Sequence, residues 1–584
     1  MVAASRGGRP RNAAVSRARL SPPDDAPISA RVGSQTPVAL RTAQVTRVRA
    51  VVVALVVARC CMPLARAAPV VDPDMGVVAE LAVAWSGTAA CNTWVCGRDC
   101  DTMAGLLCDA QGHAVAIDVQ GVSIVPARIT QLEHLTSLSI TSSSLDKGVP
   151  PTILAMPTLK HLNLTGCRIS VPLSSFVSQN IPSALETLKL AGNFFRDNST
   201  DALARITSLR HLDLSYNSLS GPLLDAFSAL HHLTALHINS NFFEGLPTVL
   251  TTLTALKHLS MGANGFKPAI PPLLGDMSNL QMLSCVYCFV NGPLPSELSR
   301  LKKLTHWGLS YTGVWGTLPS SLGNLANLET LWLPRNNLSW TIPNSFSRLN
   351  RLSTLELSEN RLSGPIPSIL GRLTNLDKMT LHGNRLAGII PASLGRLSRL
   401  TFMDLSYNRI RGTIPAALSG LSSIDDLNLA GNRLTGTIPA AFSALSSLKN
   451  LNLKSNELVG SVPSLQRMKS VRNIFAGYNF LTATADASLA NIHSLCTAGG
   501  LRLYLESNCL GNTSVLCGSG QTQRSSSECE SLCGSSPDIP YCSGHGVCYR
   551  VFEQIGRPQC ACYEGYTAGT DVGTCVPQVP QKQG

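Results

Sequence analysis

The sequence predicts an elongated solenoid of short repeats that stack a parallel β-sheet along one side. Asparagines recur at a spacing of 24 residues over much of the chain, and each follows a short run of alternating apolar and polar residues. Such alternation is typical of a strand with one buried face. A fixed period of this length indicates units that bury their apolar faces only against neighbouring units. The regular series is Asn336, Asn360, Asn384, Asn408, Asn432 and Asn456.

The sequence of each unit also predicts which of its residues form the interior of the coil. The strand residues Met379 and Leu381 are expected inside one coil, together with Leu373, Leu376, Leu386 and Ile390. The asparagine closes the turn after the strand, where its amide can bond backbone groups of its own coil and of the neighbouring coil. Stacked asparagines are therefore expected to form a ladder. With small slips in spacing the series extends to Asn193, Asn217, Asn241, Asn264, Asn479 and Asn508.

A second motif, Gly-x-Ile-Pro or Gly-x-Leu-Pro, follows this position in many units. It occurs at Gly292–Pro295, Gly316–Pro319, Gly364–Pro367, Gly412–Pro415 and Gly436–Pro439. Over residues 115–510, about 15 to 16 coils, the chain resembles plant-type leucine-rich repeat proteins. The resemblance implies an α/β-type right-handed solenoid with the parallel β-sheet on its concave face, a second short strand after the asparagine, and turns or short helices on the convex side. At about 4.8 Å per strand the sheet would span on the order of 70 Å.

In three units another residue replaces the asparagine: Cys167, Cys288 and Thr312. A cysteine is an accepted variant at this position. Cys285 occupies an inward strand position, so Cys285 and Cys288 are both expected in the interior, where thiols behave as small apolar groups. A structural role is favoured over a redox Cys-x-x-Cys site, and a disulfide between the two stays open.

Residues 1–67 are interpreted as a leader that contains a secretory signal. The apolar run 50–58 precedes Ala65-Arg66-Ala67, which fits a small-x-small cleavage site. The run is about half of the roughly 20 residues needed to span a bilayer. An organelle transit peptide and an early start codon are the alternatives. The tail, residues 576–584, is polar and carries no lipid-anchor signal.

Most of the net charge of +12 belongs to this leader. Residues 1–68 contain 11 arginines and two aspartates, so residues 69–584 carry 36 basic and 33 acidic side chains. A nucleic-acid-binding surface needs a clustered basic stripe. No nucleic-acid partner is therefore predicted.

Cysteines cluster at both ends of the repeats, which indicates disulfide-stapled caps in an oxidising compartment. Residues 68–114 resemble the amino-terminal cap of plant-type repeat proteins through the stretch from Cys100 to Cys108, and the resemblance implies a Cys100–Cys108 disulfide. Cys91 with Cys96 is the second expected pair. At the other end, residues 496–532 are expected to cap the last coil in any of three connectivities. The cysteines concerned are Cys496, Cys509, Cys517 and Cys529.

Residues 533–575 resemble an epidermal-growth-factor-like module, mainly through Cys560-Ala-Cys562 followed by Gly565-Tyr566. The connectivity of that family would pair Cys533 with Cys548, Cys542 with Cys560, and Cys562 with Cys575. Residues 527–532 are a poor match to the calcium-binding subclass, so no calcium site is predicted.

The solvent-facing strand positions of the concave face are the candidate ligand-binding residues. Trp332 leads because an exposed tryptophan on a rigid sheet is a favoured binding anchor, with packing against Trp340 as the alternative. The other candidates are Phe402, His237, Glu356, Asp404, Lys189 and Asp213.

Histidines occupy the preceding strand position in alternate coils, at His161, His211, His258 and His306. Strands two apart are separated by about 9–10 Å, which is too far for two of these imidazoles to share one zinc ion at about 2 Å each. The favoured interpretation is that these histidines are ordinary polar residues of the solvent-facing strand surface, without a ligand-binding role. The alternative is a pH-sensitive ligand face, because histidine titrates near about 6.5. No metal site and no cofactor are predicted.

The sequence contains no recognisable catalytic motif, and the pair Asp425-Asp426 is interpreted as solvated, so an enzyme is not predicted. The predicted function is a secreted or cell-surface recognition protein that binds a protein or glycan ligand on the concave face, in adhesion or signalling. A further partner at the cell surface is compatible with this organisation. The alternatives are a secreted hydrolase inhibitor and an extracellular structural spacer. Glycosylation sequons at Asn163, Asn198, Asn337 and Asn512 are compatible with export.

Overall fold

The structure is a computed structural model that describes most of the repeat region. The described residues are 73–85, 104–146, 148–177, 184–198, 200–222, 225–245, 248–267, 269–460, 470–481, 502–505 and 508, with the backbone of 546–549, 559–562, 566–568 and 575–577. The predictions that fall outside these ranges concern the leader, Cys91, Cys96, Cys100, Cys496, Cys509, Cys517, Cys529, Cys533, Cys542 and Asn512.

A long β-sheet runs along one side of the coils and confirms the predicted solenoid. Eighteen strands form it in the described part of the chain. The strand Leu106–Cys108 pairs antiparallel with Ala114–Gln120, and all later neighbours pair in parallel. The later strands are Ser137–Thr141, His161–Asn163, Thr187–Lys189, His211–Asp213, Ala235–His237, His258–Ser260, Met282–Ser284, His306–Gly308, Thr330–Trp332, Thr354–Glu356, Lys378–Thr380, Phe402–Asp404, Asp426–Asn428, Asn450–Asn452, Asn473–Phe475 and Arg502–Tyr504. The solvent-facing side of this sheet is called the concave face below.

A second parallel sheet follows the turn in the later coils, as the resemblance implied. Its eight strands are Trp315–Thr317, Asn337–Trp340, Arg361–Pro365, Arg385–Gly388, Arg409–Thr413, Arg433–Gly436, Glu457–Gly460 and Phe480–Leu481. Earlier in the chain, Ser220–Gly221 pairs with Phe242–Phe243 in the same way. Two further hairpins, Gly546–Tyr549 with Gln559–Cys562 and Tyr566–Ala568 with Cys575–Pro577, lie beyond the repeats.

Short helices connect the second turn of each coil to the next strand. The 3-10 helices are Ala127–Gln131, Pro151–Ala155, Asp201–Arg205, Asp225–Ala229, Thr248–Thr252, Pro272–Asp276, Ser296–Arg300, Ser320–Asn324, Asn344–Arg348, Ser368–Arg372, Ala392–Arg396, Ala416–Gly420 and Ala440–Ala444. The α-helices are Leu173–Phe176 and Pro73–Ala84. None of the helices in the described ranges combines the length and apolar character that a bilayer crossing requires.

One apolar core runs through the stacked coils. Inward residues such as Leu331, Leu333 and Leu338 are almost completely buried. Cys285 and Cys288 are also buried, and they form a disulfide with each other, which decides the alternative that the sequence left open. At the amino-terminal end, Trp85 lies in the same core, and its Nε1 donates a hydrogen bond to the Ile124 carbonyl at 2.6 Å.

The buried asparagines form the predicted ladder. Asn384 Nδ2 donates to the carbonyl oxygens of Leu357 at 2.9 Å and Leu381 at 3.1 Å, while its Oδ1 accepts from the backbone N–H of Leu362 at 2.9 Å. The first bond reaches the preceding coil and the second stays in its own coil. Each asparagine therefore pairs turn groups that have no strand partner, and neighbouring coils are tied together.

Two of the residues that replace the ladder asparagine preserve part of this hydrogen bonding. The Cys167 thiol donates to the Ile140 carbonyl at 3.0 Å, the same cross-coil bond that an asparagine would make, and burial raises the pKa of this thiol to about 11. Thr312 keeps its place through Asn336 of the next coil, whose Oδ1 accepts from the Thr312 backbone N–H and hydroxyl at 3.1 and 2.8 Å.

The residue before the ladder position adopts a left-handed backbone in most coils. Tyr287, Tyr311, Arg335 and Glu359 have φ angles between 50° and 58°. A second left-handed position follows later in most of the regular coils, where Gly316, Gly364, Gly388, Gly412, Gly436 and Gly460 all have positive φ. Trp340 stands at this second left-handed position, with a φ angle of 67°, and its side chain is 67% exposed. A bulky residue is strained in this conformation.

Asn384→Ala is expected to destabilise the solenoid by about 2 to 4 kcal/mol, because it leaves buried turn groups without partners. The urea midpoint followed by circular dichroism measures the change. The control is Asn375→Ala, since Asn375 is exposed and donates to the Asn350 carbonyl at the surface. The control should cost less than about 1 kcal/mol. Equal losses in the two variants would contradict the structural role of the ladder.

Trp340→Gly is expected to stabilise the protein by about 0.5 to 1 kcal/mol. The left-handed strain removed is about 1–2 kcal/mol, and the added flexibility of glycine offsets about half of it. The matched control is Trp315→Gly, since Trp315 is 49% exposed in the neighbouring coil and has no left-handed φ. The control should lose stability, and a gain of the same size in both variants would exclude strain as the cause.

Candidate ligand-binding face

The concave face presents, in each coil, one strand position between two inward, mostly apolar residues. Trp332 holds this position in the strand Thr330–Trp332 and is 43% exposed. It lies beside Gly308, whose α-carbon faces the indole closely enough that an added β-carbon would be 3.4 Å from Trp332 Cε3. Trp340, the alternative packing partner, belongs to the second sheet. The absence of a side chain at Gly308 therefore leaves room for the indole to lie over the neighbouring strand.

The other sequence candidates divide into accessible and buried groups. Lys189 is exposed, and Phe402, His237 and Asp213 are half-buried. Lys378 Nζ lies 5.4 Å from the centre of the Phe402 ring, so a cation already covers part of this aromatic side chain.

Glu356 and Asp404 differ from the solvent-facing state expected from the sequence. They are only 6% and 9% exposed. Glu356 accepts hydrogen bonds from the hydroxyls of Ser358 and Thr380, and Asp404 accepts from the Ser406 backbone N–H at 2.8 Å. Hydrogen-bonding neighbours of the same coil and of the adjacent coil cover these carboxylates. They act as supports of the surface, and a ligand could reach them only by breaking these bonds.

A row of four exposed side chains lies at the turns that directly follow the strands of the concave face, and one of them, Arg335, is three residues after Trp332. We call Tyr287, Tyr311, Arg335 and Glu359 the Tyr–Arg–Glu row. The Tyr287 and Tyr311 rings stack with centroids 4.4 Å apart. The Arg335 guanidinium lies 4.8 Å from the Tyr311 ring centre, and its Nη2 lies 2.7 Å from Glu359 Oε1.

The row places an aromatic surface next to a paired cation and anion. Its residues are 24 apart in the chain, yet they meet because each occupies the same left-handed turn position in successive coils. Arg335 can form a cation–π contact with Tyr311 while it pairs with Glu359. Sequence reasoning missed these residues because it considered only the strand positions. The signal that could have found them is the recurrence of tyrosine just before the ladder residue, at Tyr216, Tyr287, Tyr311, Tyr407 and Tyr478.

Basic and titratable side chains gather on the earlier coils. Burial lowers the pKa of His211, and the charges of Lys189, His258, His237 and His161 lower it further. Burial also lowers the pKa of His237, while Asp213 opposes the shift and His258 and Lys189 add to it. His161 and His258 of the predicted histidine column therefore act electrostatically on His211 across the sheet.

The repeats match known families in several places. Residues 183–243 and 374–434 match a profile described as leucine rich repeat, and residues 327–349 and 351–373 match a second profile of the same description. This chain is a leucine-rich repeat protein.

The leucine-rich repeat protein is similar to ectodomains of plant receptor-like proteins and kinases. A solved TDR receptor aligns with a TM-score of 0.60 and 30% identity, covering 66% of each chain. The ectodomain of the Arabidopsis receptor kinase HAESA aligns with a TM-score of 0.52 and 25% identity, covering 75% of this chain and 86% of that one. Receptor-like protein 7 of Arabidopsis thaliana is 28% identical over 28% of this chain, and the match spans only 16% of that relative.

Acidification is expected to destabilise the protein through His237. Because the pKa of His237 is lowered in the folded state, the unfolded chain takes up a proton first as the pH falls below about 6.5, and folding stability decreases in that window. Melting temperatures at about pH 7.5 and 5.5 measure the loss, which should be smaller in His237→Gln. Lys189→Met should also reduce it, because it removes a cation that lowers the pKa of both His237 and His211. An unchanged pH dependence in both variants would contradict this account.

Proposed function

We propose that this leucine-rich repeat protein is an extracellular recognition protein that binds an extended polypeptide on its concave face. The observation that carries the proposal is the Tyr–Arg–Glu row, together with the exposed Trp332 on the strand that precedes Arg335. Tyrosine, tryptophan and arginine are the residue types that dominate binding energy at protein interfaces. The sheet holds Trp332, and contacts between neighbouring coils hold the row. Little ordering of this surface is therefore needed on binding.

The dimensions of the row fit an extended peptide. Four side chains on successive strands span about 14 Å at about 4.8 Å per strand, which is the length of about four residues of extended chain. The stacked tyrosines and Trp332 offer faces for apolar or aromatic side chains. Arg335 and Glu359 offer a donor and an acceptor for backbone or charged groups.

The comparison with HAESA supports a peptide as the ligand. That ectodomain was solved in complex with a peptide hormone ligand, and it shares a quarter of its aligned residues with this chain. Aromatic side chains can also stack on sugar rings, so a glycan is the competing ligand class. Inhibition of a secreted hydrolase and a purely structural spacer are the other outcomes that a binding experiment has to separate.

An extracellular location is part of the proposal. The leader, the clustered cysteines and the sequons support it, and a surface partner in adhesion or signalling is compatible with it. Asn198 and Asn337 are exposed and can accept a glycan, whereas the Asn163 side chain is engaged by Ser139 and Thr165. Glycosylation is therefore proposed at Asn198 and Asn337 in preference to Asn163.

The disulfide-stapled ends are likewise proposed. Cys108 is disulfide-bonded, which supports the amino-terminal staple, although its expected partner Cys100 lies outside the described residues. The two antiparallel hairpins between Gly546 and Pro577 support an epidermal-growth-factor-like module. They contain Cys548, Cys560, Cys562 and Cys575, four of the six cysteines of that family pattern.

Trp332→Ala is expected to weaken binding at least about tenfold. The full chain, secreted and immobilised, is panned against a displayed peptide library and incubated with a glycan array. Affinities of the selected peptides are then measured for both protein versions. The control is Trp340→Ala, which removes an equally large exposed tryptophan from the second sheet and should leave binding unchanged.

The arms of this experiment separate the functional classes. Saturable binding of glycans without peptides would replace the proposed ligand class. Inhibition of secreted glycosidases that is lost in Trp332→Ala would favour the inhibitor. Absence of saturable binding to both the peptide library and the glycan array would favour a structural spacer. Equal losses of affinity in Trp332→Ala and Trp340→Ala would place binding away from the concave face.

A further inference from the structure

The amino-terminal end of the solenoid contains three side chains that are suited to a metal ion. Asp109 and His113 lie in the hairpin turn between the strands Leu106–Cys108 and Ala114–Gln120, and His134 precedes the strand Ser137–Thr141. One ligand atom from each of the three lies within 4.8 Å of the other two. Among the described residues they form a group of possible metal ligands. This group lies more than 150 residues before the Tyr–Arg–Glu row in the sequence.

The turn fixes the Asp109 carboxylate. Its Oδ1 accepts hydrogen bonds from the backbone N–H groups of Gln111 and His113, both at 2.9 Å. These two bonds occupy Oδ1, and Oδ2 is directed at His113.

The spacing between Asp109 and His113 fits a shared ion. His113 Nδ1 lies 3.2 Å from Asp109 Oδ2. Two ligands bound to one zinc ion at about 2.0–2.1 Å in tetrahedral geometry are separated by about 3.3–3.4 Å. A zinc ion could replace the proton between these two atoms without a change in the hairpin backbone.

His134 supplies the third ligand from the neighbouring coil. Its ring stacks on that of His113 with centroids 3.9 Å apart and an angle of 22° between the planes. One of its ring nitrogens lies within 4.8 Å of the ligand atoms of Asp109 and His113. His134 is exposed, so its ring can rotate to direct a nitrogen toward the ion.

We propose that Asp109, His113 and His134 bind a zinc ion that links the amino-terminal hairpin to the first coil. Two imidazoles and one carboxylate favour zinc over calcium or magnesium, which take oxygen ligands. Three protein ligands leave the fourth tetrahedral position for water. The ion would tie together residues 21 and 25 positions apart at the amino-terminal end of the repeats.

Calorimetric titration of the tag-free full chain with zinc chloride tests the site. One tight equivalent is expected, with binding weaker at about pH 6 than at about pH 7.5 because protons compete for the imidazoles. His134→Ala should lower the affinity at least about tenfold, and His134→Asp should restore part of it because a carboxylate can replace the imidazole. His306→Ala, which removes an exposed concave-face histidine, is the matched control and should keep the tight equivalent.

Cobalt binding gives a second readout, since a tetrahedral site produces strong visible absorption that His134→Ala should abolish. Circular dichroism confirms that His134→Ala remains folded. Absence of a tight zinc equivalent, or its persistence in His134→Ala, would overturn the proposal. Calcium chloride should give no heat at this site, and calcium binding lost in His134→Ala would exclude zinc as the preferred ion.

Discussion

The pairing of buried turn backbone by the asparagine ladder is the interaction on which the rest of this structure depends. Every coil bends sharply after its strand, and the bend leaves peptide groups that no strand partner can reach. In most coils one buried asparagine amide bonds a carbonyl of its own coil and a carbonyl and an N–H of the preceding coil, as Asn384 does. Because an unpaired buried polar group costs about 1–3 kcal/mol, the ladder permits a bend that a leucine interior alone would not stabilise.

The ladder also organises the surface. It fixes the register of successive coils, so residues at equal phase stand one strand apart although 24 positions separate them in the chain. The residue before the ladder takes a left-handed backbone that directs its side chain to the solvent. In four consecutive coils these residues are Tyr287, Tyr311, Arg335 and Glu359, and their contacts follow from the stacking. The same regularity that builds the core thus builds the proposed binding face.

The proposed metal site shows a different use of the repeat ends. An interior coil is covered on both sides, whereas the first coil needs other contacts to close the core. Helix Pro73–Ala84 and the hairpin supply apolar cover and hydrogen bonds there, including the one from the Ala114 N–H to Asp74 at 3.1 Å. A zinc ion on Asp109, His113 and His134 would add a link between hairpin and coil that needs no further apolar surface.

The sequence by itself determined the period, the parallel sheet, the inward leucines and the ladder, because each depends on residue type and spacing within one unit. It placed Trp332 on the solvent side for the same reason. Only the tertiary structure decided that Glu356 and Asp404 are covered by neighbours, that Cys285 pairs with Cys288, and that His134 meets His113. These outcomes depend on distances between side chains of different coils and on their rotamers. A linear pattern specifies which face a side chain takes, but the stacking of coils specifies what it touches there.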